Sequence, residues 1–83
     1  MDFHTLGREI ARLRRERGVS QQLMADQLGI SRATLNALET GRAGDVGVRK
    51  VIRVLDYLGM ELSLRERSPF PTFEELREER RHD

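Results

Sequence analysis

The chain has 83 residues, a formal net charge of +1 and no cysteine. A chain of this length builds one small domain that leaves much of its surface exposed and gains from a partner subunit, while the lack of cysteine excludes disulfides, thiolate metal sites and a cysteine nucleophile. The near-neutral total hides an asymmetry: residues 1–65 hold 11 Lys and Arg against 8 Asp and Glu, a net of +3, whereas residues 66–83 hold 4 against 6, a net of −2.

The first predicted helix runs from Asp2 or Thr5 to Arg17, with Leu6, Ile10 and Leu13 on one face and arginines around the rest,. Gly18 stops it, Ser20 caps a second helix over Gln21–Leu28, and Gly29 ends that one,. Ser31 caps a third helix, which extends to Thr40 and closes at Gly41,. A fourth begins at Asp45–Gly47 and ends at Gly59. Its residues Val48, Val51, Ile52, Leu55 and Leu58 follow one core stripe, leaving Val54 and Tyr57 on a second apolar face that suits another chain,. Met60 to Arg65 then alternates apolar and polar residues in the pattern of a half-buried strand,. No second strand is expected in the chain, so its backbone groups pair either with the same strand of a second subunit across a two-fold axis or with the chain's own domain as a folded-back arm.

Ser68, Pro69, Phe70 and Pro71 break the pattern, and Thr72 with Glu75 forms a capping box for a last helix within 72–81,. Phe70, Phe73 and Leu76 are the residues this charged segment has to bury, which leaves it frayed or awaiting a partner,. The domain division is therefore 1–65, with 66–83 as a charged tail. No run approaches the ~18–20 apolar residues of a membrane span, and the start lacks the layout of a secretion signal, so a soluble, cytoplasmic protein is expected. Fourteen of the fifteen basic residues are arginine. The guanidinium fork suits phosphate and guanine, although a GC-rich genome gives the same bias.

The most specific signal lies between Gln21 and Leu38. Ala25 sits mid-helix, Gly29 in the turn four residues later, and Leu35 and Leu38 on the inner face of the third helix. Two helices crossing through a tight turn need a small residue at the closest approach, positive φ at the corner and apolar residues to lock the second helix. The segments Gly18-Val19-Ser20-Gln21-Gln22, Leu28-Gly29-Ile30-Ser31-Arg32-Ala33-Thr34-Leu35 and Leu38-Glu39-Thr40-Gly41-Arg42 resemble the Xre family of Cro and phage-repressor type domains, over residues 6–58. The segments Gly44–Lys50 and Val54–Leu64 resemble the HipB-like antitoxins of that family, which dimerise through such a strand.

The resemblance implies an all-α, lambda-repressor-like helix-turn-helix bundle of four to five helices, with the short C-terminal strand pairing across a homodimer. It puts the third helix in the major groove of double-stranded DNA, with Arg32, Ala33, Asn36 and Ala37 facing base edges: Arg32 on guanine, Asn36 on adenine,. Gln21, Ser31, Thr34, Arg42 and Arg49 become phosphate contacts,. Arg14 and Glu39 match positions of an ion pair between the first and third helices, and Val54, Tyr57, Met60, Leu62 and Leu64 become the dimer interface. Leu23 departs from the pattern, standing where a polar residue is usual. It is either a chance surface leucine or, with Phe70, Phe73 and Leu76, part of a contact with a partner protein.

An enzyme finds little support. His4 and His82 lie at opposite ends, and Glu74, Glu75, Glu78 and Glu79 alternate with Arg77, Arg80 and Arg81 in the manner of a solvated, ion-paired helix face,. No glycine-rich phosphate loop or nucleophile–base pair accompanies them, and no cofactor or metal is expected. The sequence therefore reads as a repressor of a pseudo-palindromic operator, and within that reading as an autoregulating type II antitoxin that binds a HipA-like kinase toxin. Two alternatives stay open: a stand-alone phage-type regulator or restriction controller, and a protein-interaction module on a helix-turn-helix scaffold that no longer binds DNA.

Overall fold

A computed structural model describes residues 2–67. Among them are four helices: α1 (Phe3–Glu16), α2 (Gln21–Leu28), α3 (Arg32–Glu39) and α4 (Val48–Tyr57). Three start on a side-chain cap. The Asp2 carboxylate accepts from the Thr5 backbone N–H, Ser20 Oγ from Leu23 and Ser31 Oγ from Thr34, each satisfying a donor that the first helical turn leaves unpaired. By contrast α4 starts at Gly47 with no side-chain cap bond, so the Asp45 region contributes no cap. Gly29 takes φ of +71° at the corner between α2 and α3, two residues before the Ser31 cap.

The core forms where the four helices meet. Ile10 of α1, Met24 and Ala25 of α2, Leu35 and Leu38 of α3, and Val54 with Leu58 at the end of α4 are all almost wholly buried. Leu6, expected on the inner face of α1, packs against this cluster from its edge. Ala25 is completely buried, as a small residue at the crossing of α2 and α3 should be,.

The reading of α4 needs correction. Val54, assigned to the second apolar face and the dimer interface, is 1% exposed and belongs to the chain's own core. Tyr57 is half-buried against that core and its hydroxyl donates to Gln27 of α2. Val48 and Ile52, assigned to the core stripe, are instead exposed at 62% and 39%. The cause lies in the width of the apolar arc. At about 100° per residue, Tyr57 round to Ile52 covers roughly 220° of the helix circumference, more than one core contact uses, and periodicity alone does not say which part turns inward. In the structure Val54 of α4 and Leu58 at its end are the residues of this stretch most deeply buried in the core, and Arg53 donates to the Leu28 carbonyl at the end of α2.

Residues 60–67 follow α4 as exposed chain with neither helix nor strand. The backbone N–H of Met60 returns to the Leu55 carbonyl at 2.9 Å, while Met60, Leu62 and Leu64 are 43%, 45% and 97% exposed. The expected helix within 72–81, with Phe70, Phe73 and Leu76, lies outside the described residues.

The closest approach of α1 to α3 is made at Gly7, which is buried. A β-carbon there would stand 2.2 Å from the Leu38 carbonyl oxygen and 3.0 Å from that of Glu39. Gly7→Ala is therefore expected to destabilise the domain by about 1–3 kcal/mol through overpacking, despite the ~1 kcal/mol that alanine gains over glycine inside a helix. Urea denaturation measures it, and a variant of unchanged or higher stability would contradict the tight seating of α1.

Candidate nucleic-acid interface

Arg14 and Glu39 form the centre from which the site is built. The Arg14 side chain is 9% exposed and that of Glu39 3%. Nε donates to one carboxylate oxygen at 2.7 Å and Nη2 to the other at 3.0 Å, the bidentate geometry that makes arginine–carboxylate pairs strong and directional. Nη1 donates to the Val19 carbonyl at 2.9 Å, tying the loop before α2 to the same guanidinium. Hydrogen bonding to Glu39 raises the Arg14 pKa further above its usual value, burial opposes that shift, and the charge of Glu39 adds to it.

Gln21, the first residue of α2, joins this network. Its Nε2 donates to Glu39 Oε1 at 2.9 Å and to Asn36 Oδ1 at 3.2 Å. Asn36 and Glu39 lie three residues apart on one face of α3, so a single amide from α2 reaches both. In this structure both amide hydrogens of Gln21, expected at a phosphate, point to partners inside the protein. What Gln21 offers a phosphate is its backbone N–H in the first turn of α2.

The outward face of α3 begins with Arg32 and Ala33, both exposed. Together with half-buried Asn36 they line one open concavity. Ala37 is half-buried, and its carbonyl accepts from the backbone N–H groups of Arg42 and Ala43 at 2.9 and 3.0 Å, which folds the chain back over the end of the helix. Ser31 Oγ and Thr34 Oγ1 lie 2.8 Å apart at the start of α3, with the serine already capping. Arg42 is exposed and its Nε donates to Thr40 Oγ1 at 3.1 Å. Arg49 is exposed in the first turn of α4, and Leu23 stands 48% exposed on α2. The structure thus gathers Arg14, Gln21, Asn36 and Glu39 into one hydrogen-bonded group and sets Arg32 and Ala33 beside its outer end.

Two short capped helices, α2 and α3, joined through a left-handed glycine and locked to α1 from behind, make a helix-turn-helix. A family model described as a helix-turn-helix domain matches residues 5–68. The chain belongs to the helix-turn-helix domain family. Among solved structures, a chain of a HipA–HipB–O2–O3 complex is similar at 19% identity with a TM-score of 0.72, covering 82% of this chain and 94% of that one. A chain of a SinR–SinI complex is similar at 19% identity with a TM-score of 0.62, covering 92% of this chain and 78% of that one. No curated protein matches in sequence. These likenesses bear out the expected all-α, lambda-repressor-like fold. As a helix-turn-helix domain, the chain falls in a family of DNA-binding modules that are typically not enzymes, and among the described residues no helix is long and apolar enough to cross a membrane.

Sequence reasoning missed the inward use of Gln21 and the role of Gly7. The first was legible in part, since Asn36 and Glu39 at i and i+3 offer adjacent acceptors to whatever crosses them. Gly7 left no local signal, because what demands a glycine there is a carbonyl more than thirty residues away.

Removing one member of the buried pair leaves the other charged and unpaired. Glu39→Ala is expected to cost about 3–5 kcal/mol, enough to unfold a small domain, whereas the double variant Arg14→Met with Glu39→Leu should recover most of that loss. Chemical denaturation of the three proteins tests this. A double variant as unstable as Glu39→Ala would show that the hydrogen bonds to Val19 and Gln21, and not the lone charge, dominate.

Proposed function

We propose that the protein is a sequence-specific DNA-binding transcriptional repressor that works as a homodimer on a pseudo-palindromic operator. The observation that carries this reading is the outer face of α3. Arg32, Ala33 and Asn36 border an open concavity on a helix fixed from behind by the Arg14–Glu39 pair. Arg32 is the candidate for bidentate contact with guanine. Ala33 permits close approach of the helix to the groove, and Ala37 extends that small-residue side. Phosphate contacts fall to the backbone at Gln21, to Ser31 and Thr34 at the start of α3, and to Arg42 and Arg49.

Dimerisation would be carried by the exposed apolar residues Met60, Leu62 and Leu64 after α4, pairing as strands across the two-fold axis and joined by Val48 and Ile52 on α4. A two-fold dimer sets its two recognition helices in successive major grooves about 34 Å apart. Within this reading, the chain acts as an autoregulating antitoxin bound to a HipA-like kinase toxin. Its support is the likeness to a chain of a HipA–HipB complex, the charged tail with Phe70, Phe73 and Leu76, and the exposure of Leu23.

The deciding experiment titrates the full chain and Arg32→Ala against duplex DNA from the protein's own upstream region, over a range of salt, with molecular mass followed in parallel. Wild type should bind as a dimer with affinity falling steeply as salt rises, because phosphate contacts release counterions. Arg32→Ala should lose about 1–3 kcal/mol of discrimination per half-site while keeping its salt-sensitive non-specific binding. A folded dimer with no affinity for DNA at low salt would favour the protein-interaction module. Co-expression with the product of the adjacent gene tests the antitoxin step separately: a stable complex is expected, and its absence leaves a stand-alone repressor.

A further inference from the structure

Ala33 lines the open concavity on the outer face of α3 together with two side chains rich in hydrogen-bonding groups, Arg32 and Asn36. It is exposed, and its side chain carries no polar atom. A base edge set against that side chain gains no hydrogen bond from it, and a base amino or carbonyl group covered by it would lose water without a replacement partner. The apolar substituent that a base pair offers in the major groove is the C5 methyl of thymine. Arg32 and Asn36 suit the polar pattern of the groove, which leaves its apolar code to Ala33.

We infer that Ala33 makes the protein a reader of the pyrimidine C5 methyl group: it selects thymine over uracil and, by the same contact, 5-methylcytosine over cytosine. Thymine and 5-methylcytosine differ at position 4, where one carries an acceptor oxygen and the other a donor amino group. The Ala33 side chain has no atom that tells these two apart, so the methyl group is what it senses. Taking one methyl group out of water raises affinity about fourfold in each half-site, hence about fifteenfold on a two-fold operator held by a dimer. The consequence is regulatory. A site with cytosine at this position is gripped more tightly once that cytosine is methylated, so a mark on the DNA adjusts occupancy without any effector binding the protein. The inference rests on the DNA-binding reading above and deepens it to one substituent of one base.

The test uses the full chain. A preferred duplex is selected from a randomised library, and each of its thymines is then replaced in turn, in both half-sites, by deoxyuridine, which lacks only the methyl group. One such replacement should weaken binding about fifteenfold while leaving the salt dependence unchanged, because no phosphate contact is lost. At the same position a pair containing 5-methylcytosine should bind more tightly than the same pair with cytosine, by the same factor. Assignment to Ala33 comes from Ala33→Gly and Ala33→Gln, each first shown folded by circular dichroism. In both, the uracil penalty at that position should disappear while the penalties at other thymines stay. Glycine removes the methyl partner. Glutamine, which suits a helix better, puts an amide in its place and decides the matter if the glycine variant does not fold. A selected site without thymine, equal affinity for thymine and uracil throughout, equal affinity for cytosine and 5-methylcytosine, or a uracil penalty that persists in the Ala33 variants each overturns the inference while leaving DNA binding intact. Absence of binding in a direct low-salt titration of wild type overturns the DNA-binding reading and this inference with it.

Discussion

The ion pair between Arg14 and Glu39 is the constraint on which the rest of the domain depends. Taking two charges out of water costs several kcal/mol for each ion, and a pair is tolerated only where its geometry is good and its remaining hydrogen-bonding capacity is met. Here the carboxylate receives two bonds from Arg14 and one from Gln21, and the guanidinium spends its third nitrogen on Val19. No buried side-chain nitrogen or oxygen among the described residues lacks a partner. The apolar core supplies the general attraction between helices but is indifferent to small rotations of α3. The bidentate pair is not, because it weakens as soon as the planes of the two groups part. One interaction joining residues twenty-five positions apart therefore fixes α3 against α1, and through Val19 and Gln21 it fixes the start of α2 as well.

That arrangement divides α3 cleanly between two tasks. Leu35, Leu38 and Glu39 face inward and are buried, while Arg32 and Ala33 face outward and Asn36 stands at the boundary. A helix of eight residues makes little more than two turns, too short to be stable alone, so its form as well as its direction comes from the inner face and from the Ser31 cap. The outer residues are then free to be chosen for recognition. An arginine held at the end of a fixed helix loses less freedom on binding than one on a mobile loop, which is the advantage of placing readers on a rigid element.

The local signals in the sequence were accurate where the physics is local. The caps at Ser20 and Ser31, the turn at Gly29, the small Ala25 and the inward Leu35 and Leu38 all depend on neighbours a few residues away, and each stands where its residue type placed it. The Arg14–Glu39 pair was legible only through family resemblance, since nothing in the spacing of 25 residues marks two charges as partners. Errors arose where a decision rests on tertiary placement. The rotation of α4 goes with its packing against the other helices and with contacts such as Arg53 to the end of α2 and Tyr57 to Gln27, which no periodicity encodes. Because the apolar arc of α4 is broad, a modest rotation exchanged Val54 for Val48 and Ile52 between core and surface. The internal bonds of Gln21 were not legible for a related reason: a polar residue at a helix start is as well suited to an internal acceptor as to a phosphate, and its bond to Glu39 depends on where α3 is placed.

The size of the recognition surface bears on why a second copy is needed for the proposed role. On the proposed reading one α3 would offer Arg32 and Asn36 as polar readers, and each good base contact discriminates by about 1–3 kcal/mol. Specific binding has to exceed non-specific binding by roughly 4–10 kcal/mol to find a site among the competing sequence of a genome. Two readers fall near the bottom of that range, whereas four, on a two-fold site, reach its middle. Val48 and Ile52 on α4, and Met60, Leu62 and Leu64 after it, are exposed apolar residues, and on the proposed reading burying them against a second copy is the route by which a second recognition helix would be brought into register. On this reading the apolar overhang of α4 and the polar face of α3 solve one problem: the first supplies the association that makes the few contacts of the second sufficient.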